Sequence, residues 1–468
     1  VITDAFASLR ARRRDAKLDT GPVHLPRDGP TIACFDPGRR APLPRTYSGK
    51  ELSKVNASTV PSGLRGVAFV GNHLPRPCGI ATFTTDLADA VEHRLGPGAD
   101  VNIVAINDLP QGYSYPRRVT FEIRQNQTAD YRLAAEYLNE SNVDVVCLQH
   151  EFGIFGGDGG ENILLLLGRL RKPVVVTCHT VAEQPDPDEE RVLNRIVQMA
   201  TKVVVMSRQS SSVLTTRYNA DHEKVDLIPH GVHPFPFVET ASHKGSLGLC
   251  GRKVLLTFGL LHRQKGIEHM LEAMPAVLER HPDSMYLILG ATHPVVRREE
   301  GESYRESLTA QVERLGLSGH VRFHPEFVPL PRLLDFIGAA DVCVMPYTSL
   351  DQAASGVLAY TLAMGRAVIS TPTRYAGELL AEGRGRLVPP ADPAALADEV
   401  IGLLADERRT MMMRRRAYSY GRMMSWPVVG GLYVRLFEEL AGLRAVGADR
   451  TRPIAARTIT ESGTHLST

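Results

Sequence analysis

From Arg65 onward the chain repeats one unit, a short continuous apolar run followed by an amphipathic helical stretch, and after an interruption it repeats that unit again. The first series of runs lies at 66–70, 101–106, 144–148, 173–177, 202–206 and 225–228, with helical patterns at 81–94, 129–138, 163–170 and 187–199. Runs that stay apolar, instead of alternating with polar residues, suit strands covered on both faces, as in a parallel sheet with helices on each side. The pattern lapses over 234–252, where Pro, Ser and Gly accumulate, and restarts at 253–261, 285–289, 321–323, 341–345, 367–370 and 385–388. Helical stretches at 267–280, 303–315, 331–337, 356–364 and 393–404 fill the gaps. The fold class expected is α/β, with two doubly wound, Rossmann-like parallel-sheet domains facing across a cleft at the carboxyl ends of their strands. The expected boundaries are 64–236 and 253–405 for the two domains, 237–252 for a linker and 406–445 for C-terminal helices.

The flanks read differently. Residues 1–63 hold Arg12-Arg13-Arg14, seven prolines and little apolar periodicity, and counted through Arg65 they carry twelve basic against six acidic side chains. A flexible, solvated basic extension is expected there, and a flexible tail over 446–468. Of the 468 residues, 43% are hydrophobic, enough for large cores, and the formal net charge of +2 argues against a nucleic-acid reader built on gross positive charge. The longest aliphatic run, 163–167, is too short to cross a bilayer, and no apolar stretch follows a basic start near Val1. Six cysteines without a C-x-x-C pair make neither a disulfide framework nor a zinc site, and Cys147, Cys178 and Cys343 sit inside apolar runs as buried thiols do. A cytoplasmic chain is expected.

Five places could carry chemistry. The loop Gly71-Asn72-His73-Leu74-Pro75-Arg76-Pro77-Cys78-Gly79 joins a strand to a helix starting near Gly79, where open N–H groups could hold an anion; a plain strand–helix connection reads the same way. His150 and Glu151 end the third strand and lead into a glycine-rich loop, 156–160, able to lie against a ligand. Thr177-Cys178-His179-Thr180 ends the next strand; His179 there could shuttle a proton or donate a hydrogen bond, or could be a satisfied turn residue. In the second half, Phe258-Gly259-Leu260-Leu261-His262-Arg263-Gln264-Lys265-Gly266 places Arg263 and Lys265 at a helix start, suited to a diphosphate. Finally Gln352-Ala353-Ala354-Ser355-Gly356 opens another helix with small residues and free N–H groups. Neither G-x-G-x-x-G nor a Walker A loop is present, so dehydrogenase and P-loop readings find no support.

Taken in order, these motifs resemble the retaining glycosyltransferases of family four (glycosyl transferases group one), which have the GT-B fold. The matching residues are Gly79, the T-x-H-T turn of His179, and Ile228-Pro229-His230-Gly231-Val232 where the family has I-P-N-G-V. Gly259, Lys265 and Gly266, then Ala363-x-Gly365 and Leu387-Val388-Pro389-Pro390-x-Asp392-Pro393 complete the series. The resemblance implies transfer of a sugar from a nucleotide-diphosphate sugar to an acceptor hydroxyl, metal-independent, with no cofactor beyond that donor and no nucleic acid. It implies His179, Arg263 and Lys265 as catalytic residues; Gly79, Gln352, Ser355, Gly356, Val357 and Tyr360 around the donor; and His150 and Glu151 on the acceptor or sugar side. Contact with a membrane surface is expected only for a lipid-linked acceptor. The family usually has two glutamates eight apart where Gln352 and Tyr360 stand, and an arginine where Leu260 stands. Those departures keep a sugar-nucleotide epimerase and a non-catalytic nucleotide-sugar-binding protein as alternatives.

Overall fold

The computed structural model describes residues 63–350 and 355–443; the expected basic extension up to residue 62, the tail over 446–468, and Gln352 with its neighbour Asp351 lie outside the described residues. The first domain runs β1 (Gly66–Gly71), α1 (Gly79–Leu95), β2 (Asp100–Asn107), β3 (Val119–Arg124), α2 (Thr128–Glu140), β4 (Val145–His150), α3 (Ile163–Leu167), β5 (Val174–Cys178), α4 (Pro187–Met199), β6 (Lys202–Val205), α5 (Arg208–Thr216) and β7 (Val225–Leu227). A short helix, α6 (Ala241–Lys244), leads to the second: β8 (Lys253–Phe258), α7 (Ile267–Arg280), β9 (Ser284–Leu289), α8 (Pro294–Glu300), α9 (Ser303–Arg314), β10 (Val321–His324), α10 (Leu330–Ala339), β11 (Val342–Met345), α11 (Gly356–Ala363), β12 (Ala367–Ser370), α12 (Arg374–Leu379), β13 (Arg386–Leu387) and α13 (Pro393–Ala405). Helices α14 (Glu407–Gly421) and α15 (Trp426–Leu440) follow.

Both sheets are parallel, ordered β3-β2-β1-β4-β5-β6-β7 and β10-β9-β8-β11-β12-β13. The two doubly wound domains expected from the apolar rhythm are therefore present. Every residue of β1, β4 and β5 is buried, which is what continuous apolar runs require of strands covered on both faces. In each sheet the winding reverses beside its first strand, between β1 and β4 and between β8 and β11, and this opens a crevice at the carboxyl ends. Cys147, Cys178 and Cys343 are buried in these strands as free thiols, as expected.

Strand β3 and helix α5 have no counterpart in the sequence reading. Strand β3 was not anticipated: it is an edge strand in which Ile123 is buried while Glu122 and Arg124 are not, so it presents no apolar run. Helix α5 is polar and is fixed at its start by Ser207, whose Oγ accepts from the Ser210 N–H at 3.1 Å. The 234–252 stretch is tied down by side chains: Lys244 Nζ lies 2.6 Å from Asp341 Oδ2, and Arg414 Nη2 donates to the Val238 carbonyl at 2.9 Å.

The last helix returns to the first domain. α15 packs along α1, the Phe437 ring meets Phe69 edge-on at 6.3 Å, and the Tyr433 hydroxyl hydrogen-bonds Thr177 Oγ1 at 2.9 Å. Across the cleft, Arg374 pairs with Glu183 at 2.5 Å and the Arg208 N–H donates to Glu378 at 2.8 Å.

Candidate functional site

On the second-domain side, the site begins where β8 ends. Gly259 has φ = 117°, a conformation open to glycine, and a Cβ there would fall 3.0 Å from Lys265 Nζ and 3.5 Å from Val357 Cγ2. The turn therefore folds back on itself and leaves room for an ammonium that a larger residue would displace. Lys265 is 2% exposed, with Nζ 3.5 Å from the Tyr347 hydroxyl and 4.9 Å from the centre of its ring. Tyr347 follows β11 and Val357 opens α11, so one buried cation stands where the ends of β8 and β11 meet a helix N-terminus. Ser355 caps α11, its Oγ accepting from the Leu358 N–H at 3.3 Å. That leaves the N–H groups of Gly356 and Val357 among those with no partner inside the helix, pointing where an anion is favoured. Tyr360, further along α11, bonds through its hydroxyl to His233 Nδ1 at 3.2 Å, and His233 Nε2 lies 3.9 Å from Asp86 of α1. Burial, with the charge of Asp89, pushes the Asp86 carboxyl up to about 7.

Arg263 does not join Lys265. Its guanidinium is 58% exposed and turns toward α8 and α9, with Nε 3.4 Å from Glu300 Oε2 and the Tyr304 ring centre 5.5 Å away.

On the first-domain side, β4 and β5 end together. His179 is 2% exposed; its N–H donates to the His150 carbonyl at 3.0 Å, and its Nε2 is 3.0 Å from Gln149 Oε1. Because an amide oxygen only accepts, Nε2 carries the proton and Nδ1 keeps a lone pair. Gln149 Nε2 in turn donates to Cys147 Sγ at 3.3 Å and Thr177 Oγ1 at 3.5 Å, and Thr177 meets Tyr433, so the orientation of His179 depends on α15. Phe83 of α1 stacks edge-on with His179, His230 and Trp426 at 4.8, 5.2 and 5.2 Å, which gathers the T-x-H-T turn, the 228–232 motif and the last helix around one ring. Glu151 accepts from the Thr180 hydroxyl at 2.6 Å and from the Phe152 N–H at 3.1 Å. His150 is fully buried between Phe152 and Phe155, with no hydrogen-bond partner at either ring nitrogen among the described residues. The glycine-rich loop lies against its own chain: a Cβ on Gly156 would come within 2.2 Å of the Gln125 carbonyl oxygen. Its glycines serve close packing. Gly79 is the first residue of α1, whose N-cap Cys78 makes no side-chain cap, so N–H groups are open there also.

Burial drives the three imidazoles far below the ordinary histidine range: His150 and His179 to about 3, His230 to about 4. They are neutral at physiological pH, so His179 serves as a hydrogen-bonding group rather than a charged acid. In the unfolded chain each takes up a proton near pH 6.5, which the native state refuses. Stability is therefore complete above about pH 6.5 and falls as the pH drops toward the native values, by up to about 1.4 kcal/mol per pH unit for each histidine. Urea unfolding at pH 7.5 and pH 5.0 should show this loss, and His150→Leu should reduce the slope. Equal stability at the two pH values would mean that protons reach these rings in the folded state.

The two domains meet at a cavity of about 410 Å³, lined by Pro77 of the loop before α1 and by Leu260, Thr292, Arg297, Arg298 and Phe327 of the second domain. None of the second-domain lining residues except Leu260 drew attention in the sequence. Arg297 and Arg298 lie in a Val-Val-Arg-Arg-Glu-Glu stretch that reads as a solvated helix; their place just beyond β9, at a strand's carboxyl end, was the available signal. Tyr433 drew no attention, and Gln149 and Phe83, which belong to the stretches 149–160 and 71–83 at the first two candidate places, had no role assigned, since all three act through contacts distant in sequence. Among the described residues, no group of three or more His, Cys, Asp or Glu could hold a metal ion, and no helix is long and apolar enough to cross a membrane.

Comparison with known proteins follows the same division. Residues 252–406 match the family "Glycosyl transferases group 1" and residues 78–234 match "Glycosyltransferase Family 4". Among curated relatives, the D-inositol 3-phosphate glycosyltransferase of Nocardia farcinica is 27% identical over 309 residues, 62% of this chain and 67% of the relative. The enzyme of that name from an Arthrobacter species is 27% identical over 355 residues, 72% of this chain and 79% of its own. Among solved structures, sucrose-phosphate synthase from Thermosynechococcus elongatus superposes with a TM-score of 0.67 at 19% identity, covering 81% of this chain and all of that one. Anabaena HepE in complex with UDP and glucose superposes with a TM-score of 0.62 at 16% identity, covering 80% of this chain and all of its own. At these identities the structural likeness speaks to the fold.

Proposed function

The chain belongs to the group 1, family 4 glycosyltransferases and has their GT-B fold, and from that premise we propose that it moves a hexosyl group from a nucleoside-diphosphate sugar to an acceptor hydroxyl with retention of configuration and without a metal. The observation that carries the proposal is Lys265, an ammonium held at the meeting of two strand ends and the start of α11. In the front-face route, the acceptor oxygen bonds to the anomeric carbon on the side the diphosphate leaves. The carbon–oxygen bond to the diphosphate breaks, and the acceptor's proton passes to the departing phosphate oxygen. The protein's part is alignment and stabilisation of the charge on that oxygen. Lys265 and the open N–H groups of α11 fill this role, which makes a metal unnecessary. Neutral His179 holds a sugar or acceptor hydroxyl through Nδ1. The first domain, 64–236, with His150 and Glu151 near its crevice, is assigned to the acceptor, and 253–405 to the donor. D-inositol 3-phosphate, after which the curated relatives are named, is the first acceptor to try, with other sugar and cyclitol phosphates. A cytoplasmic site of action suits such substrates.

Thermal unfolding with UDP-, GDP- and ADP-sugars tests donor binding, since a ligand at a hundred times its Kd adds about 2.7 kcal/mol of stability. No shift with any of them would remove the donor site. A non-catalytic binding protein is the second reading; Tyr360 favours it, because a hydroxyl engaged with His233 replaces a carboxylate. Binding without transfer to any acceptor would support it. Gln352 is assigned to the donor sugar, because an amide both donates and accepts. Gln352→Ala should impair transfer and sugar discrimination more than nucleoside-diphosphate affinity, and wild-type behaviour on every donor would take Gln352 out of the site.

A further inference from the structure

We propose that Arg298, on α8, supplies the second cation that binds the donor diphosphate; the inference rests on the donor assignment above and adds a residue to it. A nucleoside diphosphate brings at least two negative charges, whereas Lys265 brings one positive charge. The β8 turn does not provide the other. Leu260 is apolar and lines the interdomain cavity, and Arg263 is directed to Glu300.

The same cavity is lined by Arg297 and Arg298. They are not equivalent. Arg297 Nε lies 3.5 Å from Glu302 Oε1, a carboxylate that also accepts from Thr292 and Arg305. Arg298 makes no ion pair among the described residues, so its charge is available to a ligand. Its helix is fixed relative to the turn that holds Lys265. The Gly259 N–H donates to the Leu289 carbonyl at 3.0 Å, Leu261 to Ala291 at 2.9 Å and His293 to Leu261 at 3.0 Å, zipping the segments after β8 and β9 together immediately before α8. The Arg263–Glu300 contact then pins the far end of α8. Arg263 thus acts as a positioning residue, holding the helix that presents Arg298. Phe327, 56% exposed, gives the cavity an aromatic wall suited to the nucleobase attached to that diphosphate. A guanidinium suits this role because its planar fork can give two parallel hydrogen bonds to phosphate oxygens.

The test is calorimetric titration of the full chain and its variants with UDP, GDP and ADP. Arg298→Ala should weaken the preferred diphosphate about ten- to a hundredfold, the range for a hydrogen bond to a charged group. Arg298→Lys should lose less, and Arg297→Ala should change little because Glu302 already engages that charge. Adding Leu260→Arg to Arg298→Ala should recover most of the affinity, because it returns a guanidinium to the same cavity; a merely structural role for Arg298 would not be rescued this way. If Arg298→Ala binds the diphosphate as wild type does while Lys265→Ala does not, the proposal fails and the donor assignment stands. The proposal also fails if Arg298→Ala keeps diphosphate affinity but loses transfer only to phosphorylated acceptors, which would place the acceptor's phosphate at Arg298. If the wild-type chain binds none of the three diphosphates, the donor assignment itself fails.

Discussion

Replacing Lys265 with alanine is expected to lower turnover by about 10²–10³-fold, equivalent to about 2.7–4 kcal/mol of lost transition-state stabilisation. The charge it is proposed to counter grows as the sugar–phosphate bond breaks, so the loss should fall mainly on kcat. Two properties of the site make the effect large. Lys265 is buried, where electrostatic interaction is less screened than at the surface, and it stands beside Gly259 at the N-terminus of α11, whereas Arg263 of the same turn is directed to Glu300. Single-turnover kinetics with a folded Lys265→Ala protein is the check. Near-normal turnover would put the leaving group elsewhere.

The second large effect is expected at Gly231, in the motif that ends the first domain. A Cβ there would fall 2.1 Å from Cζ3 and 2.2 Å from Cε3 of Trp426, well inside contact distance. The ring cannot easily retreat. It meets Phe83 edge-on, and the Trp426 backbone N–H donates to the Val232 carbonyl at 2.8 Å, fixing the start of α15. Gly231→Ala should therefore destabilise the protein by about 3 kcal/mol, the upper end for overpacking. It should also reduce turnover, because Phe83 supports His179. Trp426 is the chain's one tryptophan, so its fluorescence reports the displacement directly. Trp426→Phe in the Gly231→Ala background should recover part of the lost stability. Wild-type stability and emission in Gly231→Ala would show that the two segments do not meet as described.

What could be read from the sequence follows burial. Strands β1, β4 and β5 announced themselves because both faces are covered, and Lys265-Gly266 stood out because cations stand beside a glycine at a helix start. Edge strand β3 alternates Val119, Phe121 and Ile123 with polar residues and so left no continuous run to find. The direction of a long side chain was not legible either. Arg263 and Lys265 are two residues apart and look interchangeable in sequence, but a carboxylate on α8 draws one guanidinium away while the other cation folds beneath Gly259. His179 shows a further limit. Its position at a strand end was evident, whereas its tautomer is set through Gln149 and Thr177 by Tyr433, which is 256 positions from Thr177 in sequence.

The anomeric configuration of the first-formed product tests the central claim most directly. An α-configured UDP-, GDP- or ADP-hexose would be incubated with D-inositol 3-phosphate and a set of sugar phosphates, and the product followed by proton NMR from the earliest time points. The expected result is an α-linked glycoside appearing in step with one equivalent of nucleoside diphosphate, with or without a chelator present. A β-linked product, a requirement for added metal, or release of nucleoside diphosphate without any glycoside would contradict it.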